Sequence, residues 1–534
     1  MFARIKKNTN TNKRSVLVCH NLRFGKSVRQ QTVKLFGHSS DTDELNALLS
    51  DAKNWIVEHG SQWLEQHKKS KSQKRMRHKV TITNLKEESR INVGIEDIFG
   101  KLYSEIGFHD LLSKAHQETL RQIIFARLLE PSSKRRLSYV SEEKFDKEIP
   151  LDRIYRMMDK LMKESSIVEN KIFTATEKAV GGKVSLMLFD VTTLSFEAIS
   201  EDDLRAFGFS KDFKFNTTQV VLALATTQEG LPVGYRLFPG NTAESKTLIQ
   251  SINAWREHIP IDEVTVIGDR AMMSEDNLSA LEAAGFYYVV AFPLRKLSKK
   301  EQLPILDVGS YTAINSDNEI SSYKITEKNN RKIISTYSKK RAEKDRKDRE
   351  RLVKKLEKKL QTCKDAKRLI NTKGYLKYTD ISGKATAKID ETKIERDAQW
   401  DGLHGVITNK PIVGCEIYEE YRRLWVIEES FRINKHNLKM RPIYHFTPNR
   451  IQAHILICYI VFTLIRHLQF QLKKASQSMS AFRIIDALRD VQASIMCDAV
   501  NGTRYKMLSR LTEDAEIIYD TLQIERGFSI VQFE

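Results

Sequence analysis

The sequence lacks the features that mark membrane-spanning, secreted and zinc-stabilised proteins. Its longest apolar run, residues 455–465, is shorter than the ~20 apolar residues that a bilayer span needs, so we expect a buried core helix there. Residues 1–12 contain no apolar signal core. The five cysteines lie far apart without a CxxC pair, which argues against a zinc site or a disulfide framework. We therefore expect a protein of the reducing cytoplasm that does not bind a membrane.

Positive charge is what the chain has in excess. Lys and Arg number 88 against 69 for Asp and Glu, which gives a formal net charge of +19. Such an excess favours a polyanionic partner, either nucleic acid or an anionic membrane surface. It is weak evidence alone, because many basic proteins only have solvated basic surfaces. The chain of 534 residues has room for about two to four domains of ~150 residues each.

The N-terminal part of the chain is a candidate for contact with such a polyanion. Apolar and polar residues alternate over residues 14–35, which predicts a β-hairpin carrying Arg23, Lys26 and Arg29. Farther on, residues 68–79 have the sequence KKSKSQKRMRHK. This run is compatible with a solvated linker and, equally, with a segment that follows a phosphate backbone.

The hydrophobic period changes along the middle of the chain. Residues 95–180 have apolar residues at spacings of three and four, which predicts amphipathic helices. The patterns that follow predict three strands joined by hairpins, then a helix, a strand, a helix and a strand. The predicted ranges are 184–189, 218–226, 231–238, 243–258, 264–268, 274–284 and 287–292. This order predicts an α/β fold with an RNase H-like core, a mixed five-stranded sheet with flanking helices.

The predicted core is interrupted before it is complete. Residues 295–412 combine polar, β-leaning stretches with a densely charged helical segment, which predicts an α+β insertion. A strong helical pattern then covers residues 416–439. We expect six regions: an N-terminal region, a helical region, two parts of the core around the insertion, and a C-terminal helical region. Their predicted boundaries are 1–90, 91–180, 181–294, 295–412, 413–475 and 476–534.

Two aspartates each follow a short apolar strand. Asp190 follows SLMLF and Asp269 follows VTVIG. A carboxylate there must be paired, hydrogen-bonded or bound to a cation, because isolated burial of charge is costly. If the strands are neighbours, both carboxylates enter one small space, which suits Mg²⁺ or Mn²⁺. One such Asp alone more often caps a turn; two on core strands in this order favour a functional site.

Glu428 is the third candidate acid. Tyr421, Glu428 and Lys435 are spaced by seven (428 − 421 = 7; 435 − 428 = 7), which is about two helical turns, so they share one face of a continuous helix. A carboxylate flanked by a phenol and an ammonium suits phosphodiester chemistry, although such rows are also common on ordinary helix surfaces. Glu429 is a competitor, and it lies about 100° around the helix, so both acids cannot face one metal ion.

This helix resembles the Tyr-x₂-Arg-x₃-Glu-x₆-Lys signature of bacterial insertion-sequence DDE transposases. The resemblance is to the branch whose RNase H-like fold contains a β-rich insertion. Tyr421, Glu428 and Lys435 match in register.

One position departs from the signature. Leu424 stands where the signature has arginine. Arg423 beside it, or Arg432 one turn after the acid, would have to supply that cation.

Other segments support the same resemblance. FDVTTLSF around Asp190 resembles the first-Asp motif, and IGDRAMMSEDNLSAL resembles the second, with Arg270 directly after the acid. GFSKDFKFNTTQVVLAL and GLPVGYRLFPGNTAESKTL resemble the second and third strands and the following helix. RPIYHFTPNRIQAHILICYIVF resembles the segment after the catalytic helix. The resemblance covers residues 184–470 and extends loosely to the N-terminal hairpin.

The spacing of the acids also requires an inserted domain. Asp190 and Asp269 are 79 residues apart (269 − 190), and Asp269 and Glu428 are 159 apart (428 − 269). In relatives the insertion contacts transposon-end DNA and sometimes stacks an aromatic ring on a flipped base. Trp400 is the candidate for that role; a buried structural tryptophan is equally compatible, because base flipping needs a shaped pocket.

The resemblance implies a transposase that cleaves the ends of an insertion sequence and joins them to target DNA by two-metal phosphoryl transfer. Asp190 would bridge two Mg²⁺ or Mn²⁺ ions, and Asp269 and Glu428 would each hold one. Lys435 and Tyr421 would position the phosphate.

The resemblance also implies partners and a location. The partners would be double-stranded inverted-repeat ends, held by the N-terminal region, and target DNA. Relatives act as dimers with paired ends, and the location would be the bacterial cytoplasm, at the nucleoid. An RNase H-like nuclease or resolvase without strand transfer, and an inactive DNA-binding regulator derived from a transposase, are the alternatives. A basic scaffold protein would make the acids coincidental.

Overall fold

The fold comes from a computed structural model and divides into two units, Met1–Asn84 and Leu85–Glu534. The structure describes residues 1–7, 14–24, 27–69, 84–197, 200–208, 216–261, 264–270, 274–314, 321–362, 377–382, 386–411, 414, 416–500, 502–527 and 529–533. The division falls before the strand Leu85–Asn92, which pairs with a strand near the C-terminus. The last residues of the predicted region 1–90 are therefore part of the larger unit.

The small unit is an antiparallel sheet with one helix. Its described elements are β1 (Phe2–Lys7), β2 (Arg14–Phe24), β3 (Ser27–Ser39) and α1 (Thr42–Lys69). The predicted hairpin is the β2–β3 pair, and β1, which pairs with β2, was not predicted. Asp41 caps α1, since its Oδ1 accepts hydrogen bonds from the backbone N–H groups of Asp43 at 2.7 Å and Glu44 at 3.1 Å.

The larger unit begins with a strand and a group of helices. They are β4 (Leu85–Asn92), α2 (Gly94–Glu105), α3 (Lys114–Leu129), α4 (Lys134–Phe145), α5 (Leu151–Leu161) and α6 (Ser165–Val180). Their apolar faces form one hydrophobic cluster, which confirms the helices predicted over residues 95–180. These helices cover one face of the sheet that follows.

The sheet at the centre of this unit has the predicted element order. Its first elements are β5 (Leu186–Ser195), β6 (Gln219–Thr226), β7 (Pro232–Pro239), α7 (Glu244–Arg256), β8 (Thr265–Gly268), α8 (Glu275–Ala283) and β9 (Tyr287–Ala291). Strand β5 is central. It pairs antiparallel with β6 and parallel with β8, while β7 extends β6 and β9 extends β8. This is the RNase H-like arrangement, as predicted from the sequence.

Side chains of the central strands alternate between two hydrophobic clusters because successive residues of a strand point to opposite faces. Leu188 and Leu194 of β5 join the cluster formed with α2–α6. Met187 and Phe189 join the second cluster, which includes Trp255 of α7. Both faces are therefore covered, which explains the continuous apolar runs in these strands.

The insertion continues the same sheet. Its described elements are α9 (Lys299–Leu306), β10 (Thr312–Ala313), β11 (Ser322–Lys328), β12 (Arg331–Tyr337), α10 (Lys339–Thr362), β13 (Thr379–Ser382), β14 (Thr386–Ile389), α11 (Glu391–Ala398) and β15 (Leu403–Thr408). Strand β15 pairs antiparallel with β9, and β12, β11 and β10 follow. Nine strands of the described chain thus form one mixed sheet. The α+β character was predicted, and the shared sheet was not.

The prediction of one continuous helix over residues 416–439 was wrong. Helix α12 (Glu416–Arg422) ends at a tight turn, α13 (Trp425–Arg432) follows, and Ile433–Asn437 form a single π-helical turn. The tight turn has i→i+3 bonds, from the Leu424 N–H to the Tyr421 carbonyl at 3.0 Å and from the Ile427 N–H to the Leu424 carbonyl at 3.1 Å. Burial of the Leu424 side chain in the core accompanies this break.

The chain ends with a long core helix and a second sheet. The elements are α14 (Pro448–Lys474), α15 (Ala481–Arg489), β16 (Gln492–Asp498), β17 (Arg504–Leu508), α16 (Glu513–Thr521) and β18 (Ile530–Phe533). Helix α14 has the length and apolarity of a membrane span, but 94% of its most apolar window is buried inside the protein. It packs against α2, α3, α5 and α6. This confirms the predicted core helix.

The packing of α7 on the sheet is open to a direct test at Gly234 of β7. A Cβ atom there would lie 2.7 Å from the Trp255 ring. We expect Gly234→Ala to lower the free energy of unfolding by about 1–3 kcal/mol through overpacking. Gly527→Ala is the control, because nothing lies within 4 Å of its added Cβ. Chemical denaturation followed by circular dichroism compares the two variants, and equal stabilities would contradict the close packing of Trp255 against Gly234.

Candidate active site

Asp190 and Asp269 occupy adjacent positions on neighbouring parallel strands. Phe189 of β5 is the register partner of Gly268 of β8, so the two acids come at the next position of each strand. Neighbouring strands lie ~4.8 Å apart. Strand β8 ends before Asp269, as predicted, but β5 continues to Ser195, so Asp190 lies within its strand. The predicted end of β5 was wrong because β6 pairs with it along this whole length.

Both aspartates belong to the face of the sheet on which α13 packs. Residues two apart on a strand point to the same face, so Asp190 lies on the face of Leu188 and Asp269 on the face of Ile267. Both apolar residues belong to the cluster that includes Ile427 of α13. Helix α13 contacts β5 directly. Glu428 lies exposed on this helix, one residue after the buried Ile427. The fold therefore brings the helix of the third acid to the face of the first two.

Tyr421 links the second and third acids electrostatically. Burial raises the pKa of its phenol, and the negative charges of Asp269 and Glu428 raise it further. The two carboxylates thus act on one phenol, which stays protonated and able to donate a hydrogen bond. Sequence-based reasoning placed Tyr421 near Glu428 by a continuous helix, whereas the structure brings them together around the turn at residues 423–424.

The charges of Asp269 and Glu428 are poorly compensated by protein groups. Asp269 accepts a hydrogen bond from the Arg270 backbone N–H at 2.6 Å, and Asp190 accepts one from the Val191 N–H at 2.7 Å. Within the described residues, neither Asp269 nor Glu428 forms an ion pair. Adjacent anionic oxygens of this kind suit a hard divalent cation such as Mg²⁺. The described residues contain no group of three or more His, Cys, Asp or Glu side chains already arranged around one metal position.

Glu429 is committed to a different contact. Its carboxylate lies 3.1 Å from the Arg466 guanidinium of α14, whose side chain is only 6% exposed. Arg466 also donates from Nε to the Gly230 carbonyl at 2.8 Å, so it ties α13 to the β6–β7 turn. Arg432 lies farther from Glu429, at 3.6 Å. This structural pairing favours Glu428 over Glu429 as the acid available to a ligand.

The aromatic surroundings of Tyr421 come from the insertion as well. The His404 ring of β15 lies 5.3 Å from the rings of both Tyr418 and Tyr421. Burial, with a smaller contribution from the charge of Arg341, lowers the pKa of His404 to about 4, so the imidazole is neutral near pH 7. Its Nδ1 is buried without a hydrogen-bond partner in the described chain. The insertion thus helps to hold the phenol in place.

A cleft of about 550 Å³ extends from Arg270, the residue after Asp269, to the insertion. Arg270 and Trp400 both line it. Trp400 is half-buried, and the guanidinium of Arg295 lies 5.4 Å from its ring centroid. Burial alone would raise the pKa of Asp397, but hydrogen bonds from Lys377, Tyr378 and Arg295 outweigh it and lower the pKa to about 2. Trp400 is therefore accessible from the cleft and already carries one cation–π contact.

The remaining predicted cations are dispersed. Arg423 is exposed and lines a small acidic pocket with Glu416, Glu419 and Glu420, beside the start of β5. Arg432 is exposed and lies near Glu429. Lys435 is half-buried and lies in the π-helical turn that follows α13, so the regular seven-residue spacing from Glu428 is interrupted.

The N-terminal candidates lie at the tip of the β2–β3 hairpin. Arg23 is the register partner of Val28, and Arg29 is the partner of Leu22. Lys26 lies outside the described residues, as do residues 70–83, which include most of the predicted basic run.

Sequence-based reasoning missed two residues that shape this site, Arg466 and His404. An arginine directly after the apolar stretch of residues 455–465 was a signal for a buried ion pair, because a buried guanidinium needs a partner. No comparable signal marked His404, which lies in the sequence WDGLHGVITN.

Comparisons with known proteins give one family match and two weak structural likenesses. The family model described as "Transposase DDE domain" matches residues 185–464, more than half of the chain. No curated protein matches. Among solved structures, a cryo-EM structure of the piggyBac transposase synaptic complex with hairpin DNA is 9% identical, covers 74% of this chain and 76% of its own, and has a TM-score of 0.37. The Mos1 transposase paired-end complex with left transposon end is 12% identical, with coverages of 43% and 66% and a TM-score of 0.15. These two likenesses are too weak to add to the family match.

The different roles of the two neighbouring glutamates predict different stabilities. We expect Glu429→Gln to lower the free energy of unfolding by about 1–3 kcal/mol, because Arg466 loses its charged hydrogen-bond partner. Glu428→Gln is the matched control and should change it by less than about 0.5 kcal/mol, since this side chain is exposed. Denaturant titrations measure both. Equal losses, or a larger loss at Glu428, would contradict this division of roles.

Proposed function

Because this chain belongs to the DDE transposase family, we propose that it cleaves DNA at the ends of an insertion sequence and transfers the cleaved strands to target DNA. The family makes it a polynucleotidyl transferase that acts as an endonuclease. We assign the chemistry to Asp190, Asp269 and Glu428. The observation that carries this assignment is the register of β5 and β8, which sets two aspartates side by side beneath the helix of Glu428.

The donor set fits divalent metal ions. Carboxylate oxygens are the ligands that Mg²⁺ and Mn²⁺ prefer, and the described chain gives Asp269 and Glu428 no cationic partner. Asp190 would contact two ions, and Asp269 and Glu428 one each. When bound, such ions supply activation of the attacking oxygen and stabilisation of the leaving oxygen of a phosphodiester.

The chain's own side chains would hold the DNA strand at this position. The Tyr421 phenol is protonated and would donate to a phosphate oxygen. Lys435 would hold a second phosphate oxygen through its ammonium. Arg270, beside Asp269 and lining the cleft, would contact the strand as it enters the insertion. Arg423 and Arg432 are less well placed to substitute for the arginine that Leu424 replaces, because Arg423 lies among three glutamates and Arg432 lies near Glu429.

DNA outside the cleavage point would be held by the insertion and the N-terminal unit. Trp400 lies in the cleft wall, where a base could stack on its ring. Arg23, Lys26 and Arg29 on the hairpin would contact the phosphates of the inverted repeats. We further propose a homodimer that pairs two ends and acts on DNA in the bacterial cytoplasm, at the nucleoid, without binding a membrane.

The exposure of Glu428, next to a Glu429 that is paired with Arg466, favours this function over an inactive DNA-binding regulator. A regulator has no need for an exposed acid beside two strand-borne aspartates. A nuclease without strand transfer would use the same residues, so only the products of the reaction separate it from a transposase.

The assignment is tested on a supercoiled plasmid that carries the DNA flanking this gene on both sides. With Mg²⁺, we expect the native protein to nick the plasmid at the ends of the flanking repeats and to join pre-cut ends to a second plasmid. Asp190→Asn, Asp269→Asn and Glu428→Gln should each lower both rates by at least ~100-fold, because removal of a metal ligand displaces the reacting groups.

Asp276→Asn is the matched control, since this exposed aspartate lies seven residues after Asp269 (276 − 269 = 7) in α8. It should retain native rates. Gel separation of nicked, linear and joined products gives the readout. Strong cleavage by Asp269→Asn would refute the site, and nicking without joining would identify the nuclease alternative.

A further inference from the structure

A basic pocket, distinct from the cleft at Arg270, lies away from the three acids. It has a volume of about 500 Å³ and is formed by two stretches of chain, residues 131–136 before and within α4 and residues 439–445 before α14, together with Tyr155 and His454. We call it the Lys134 pocket. Five of its lining residues are Lys or Arg, and none is Asp or Glu. The cations that line it are Lys134, Arg135, Arg136, Lys439 and Arg441.

The ammonium of Lys134 is buried without an acidic partner in the described chain. The residue is 3% exposed, and its Nζ lies 2.9 Å from Nδ1 of His454. The other ring nitrogen of His454 lies 3.1 Å from the Met440 carbonyl and must donate to it, so Nδ1 accepts from Lys134. An ammonium has three donors, and only this one is used within the described residues. Burial lowers the pKa of Lys134 to about 7, which a bound anion would reverse.

The pocket is held in shape by a second buried cation. Arg127 of α3 is 0% exposed and donates to the carbonyls of Ser132 at 3.1 Å, Leu438 at 2.6 Å and Lys439 at 3.0 Å. It therefore joins the two walls. Within the part of the chain that the structure describes, it forms no ion pair with a carboxylate either. Two buried cations without counter-charges are costly, and a bound anion would offset that cost.

Further features favour an anion with the chemistry of phosphate. The N-terminus of α4, capped by Ser133, faces the pocket and presents backbone N–H groups and the positive end of the helix dipole. Arg135 and Lys439 are exposed at the rim and form no ion pairs in the described structure. Tyr444 at the rim is 57% exposed, as befits a ring that contacts a nucleotide.

The pocket is within reach of the DNA that the proposed site would cut. Phe196, one residue after β5, forms a bridge with Ile443, which lies in the chain between the pocket residues Pro442 and Tyr444. Phe196 is six residues from Asp190 (196 − 190 = 6), which is roughly 20 Å of extended strand at ~3.3 Å per residue. A backbone bound at the acids could therefore continue to the pocket.

We propose that the Lys134 pocket binds a phosphodiester group of the DNA backbone, away from the catalytic carboxylates. This inference rests on the proposed function in one respect, namely that the phosphate belongs to DNA. The pocket anchors the strand at a second point and requires neither metal ions nor cleavage.

The test measures DNA affinity in EDTA, so that its result is independent of catalysis. A labelled DNA duplex of arbitrary sequence is titrated with the full chain and followed by fluorescence anisotropy at several salt concentrations. The double variant Arg135→Gln/Lys439→Gln should bind roughly tenfold more weakly than the native chain. Its salt slope should be shallower by about 0.9 for each phosphate that the variant no longer neutralises.

A matched control removes the same charge elsewhere. Lys473 and Lys474 lie at the exposed end of α14. The double variant Lys473→Gln/Lys474→Gln should change DNA affinity less than about twofold. Equal weakening of binding by the two double variants would overturn the proposal.

A further variant, Lys134→Met, separates binding from folding. Removing an uncompensated buried charge should leave the melting temperature unchanged or raise it, while DNA affinity falls as in the Arg135→Gln/Lys439→Gln variant. Unchanged DNA affinity would overturn the proposal.

Inorganic phosphate provides the last arm of the test. It should raise the melting temperature of the native chain and weaken DNA binding by competition. If phosphate binds the native chain but not Lys134→Met, and DNA affinity is the same in both, the pocket serves free phosphate and the proposal fails.

Discussion

The parallel pairing of β5 with β8 is the constraint on which the rest of the site depends. It places two aspartates at consecutive register positions, about one strand spacing apart, on the same face of the sheet. Two carboxylates at that distance repel each other unless a cation or a proton intervenes. The arrangement persists because both faces of the sheet are packed, one against α7 and α8 and the other against the helices around α14. The core thus stabilises a geometry that electrostatics alone would oppose.

The third acid depends on a different device, the break in the helix that carries it. Leu424 is buried where the family signature has arginine, and the tight turn at Arg423 and Leu424 separates α12 from the helix that carries Glu428. Arg466 of α14 forms an ion pair with Glu429, the residue after Glu428. Because Ile427 is buried and Glu429 is paired, Glu428 is the acid that remains exposed. The insertion supports this segment through the contact of His404 with Tyr421, which connects the added strands to the proposed active site.

Much of the fold could be predicted from the sequence, because strand order and helix positions depend on local periodicity. The five core strands and the buried helix over residues 455–465 are examples. The adjacency of Asp190 and Asp269 was expected only if their strands were neighbours, which the structure shows. The broken helix could not be predicted, because no glycine or proline marks the turn at Arg423 and Leu424. The extension of the core sheet by the insertion, and the pairing of Glu429 with Arg466, depend on contacts between distant segments that periodicity does not encode.

We propose that three carboxylates on two strands and one helix together hold divalent ions, and a count of bound Mn²⁺ examines this proposal without relying on catalysis. Electron paramagnetic resonance of the protein saturated with DNA and titrated with Mn²⁺ gives the number of ions per chain. We expect two ions for the native chain, loss of both in Asp190→Asn, and loss of one in Asp269→Asn or Glu428→Gln. Retention of both ions by Asp190→Asn would contradict it.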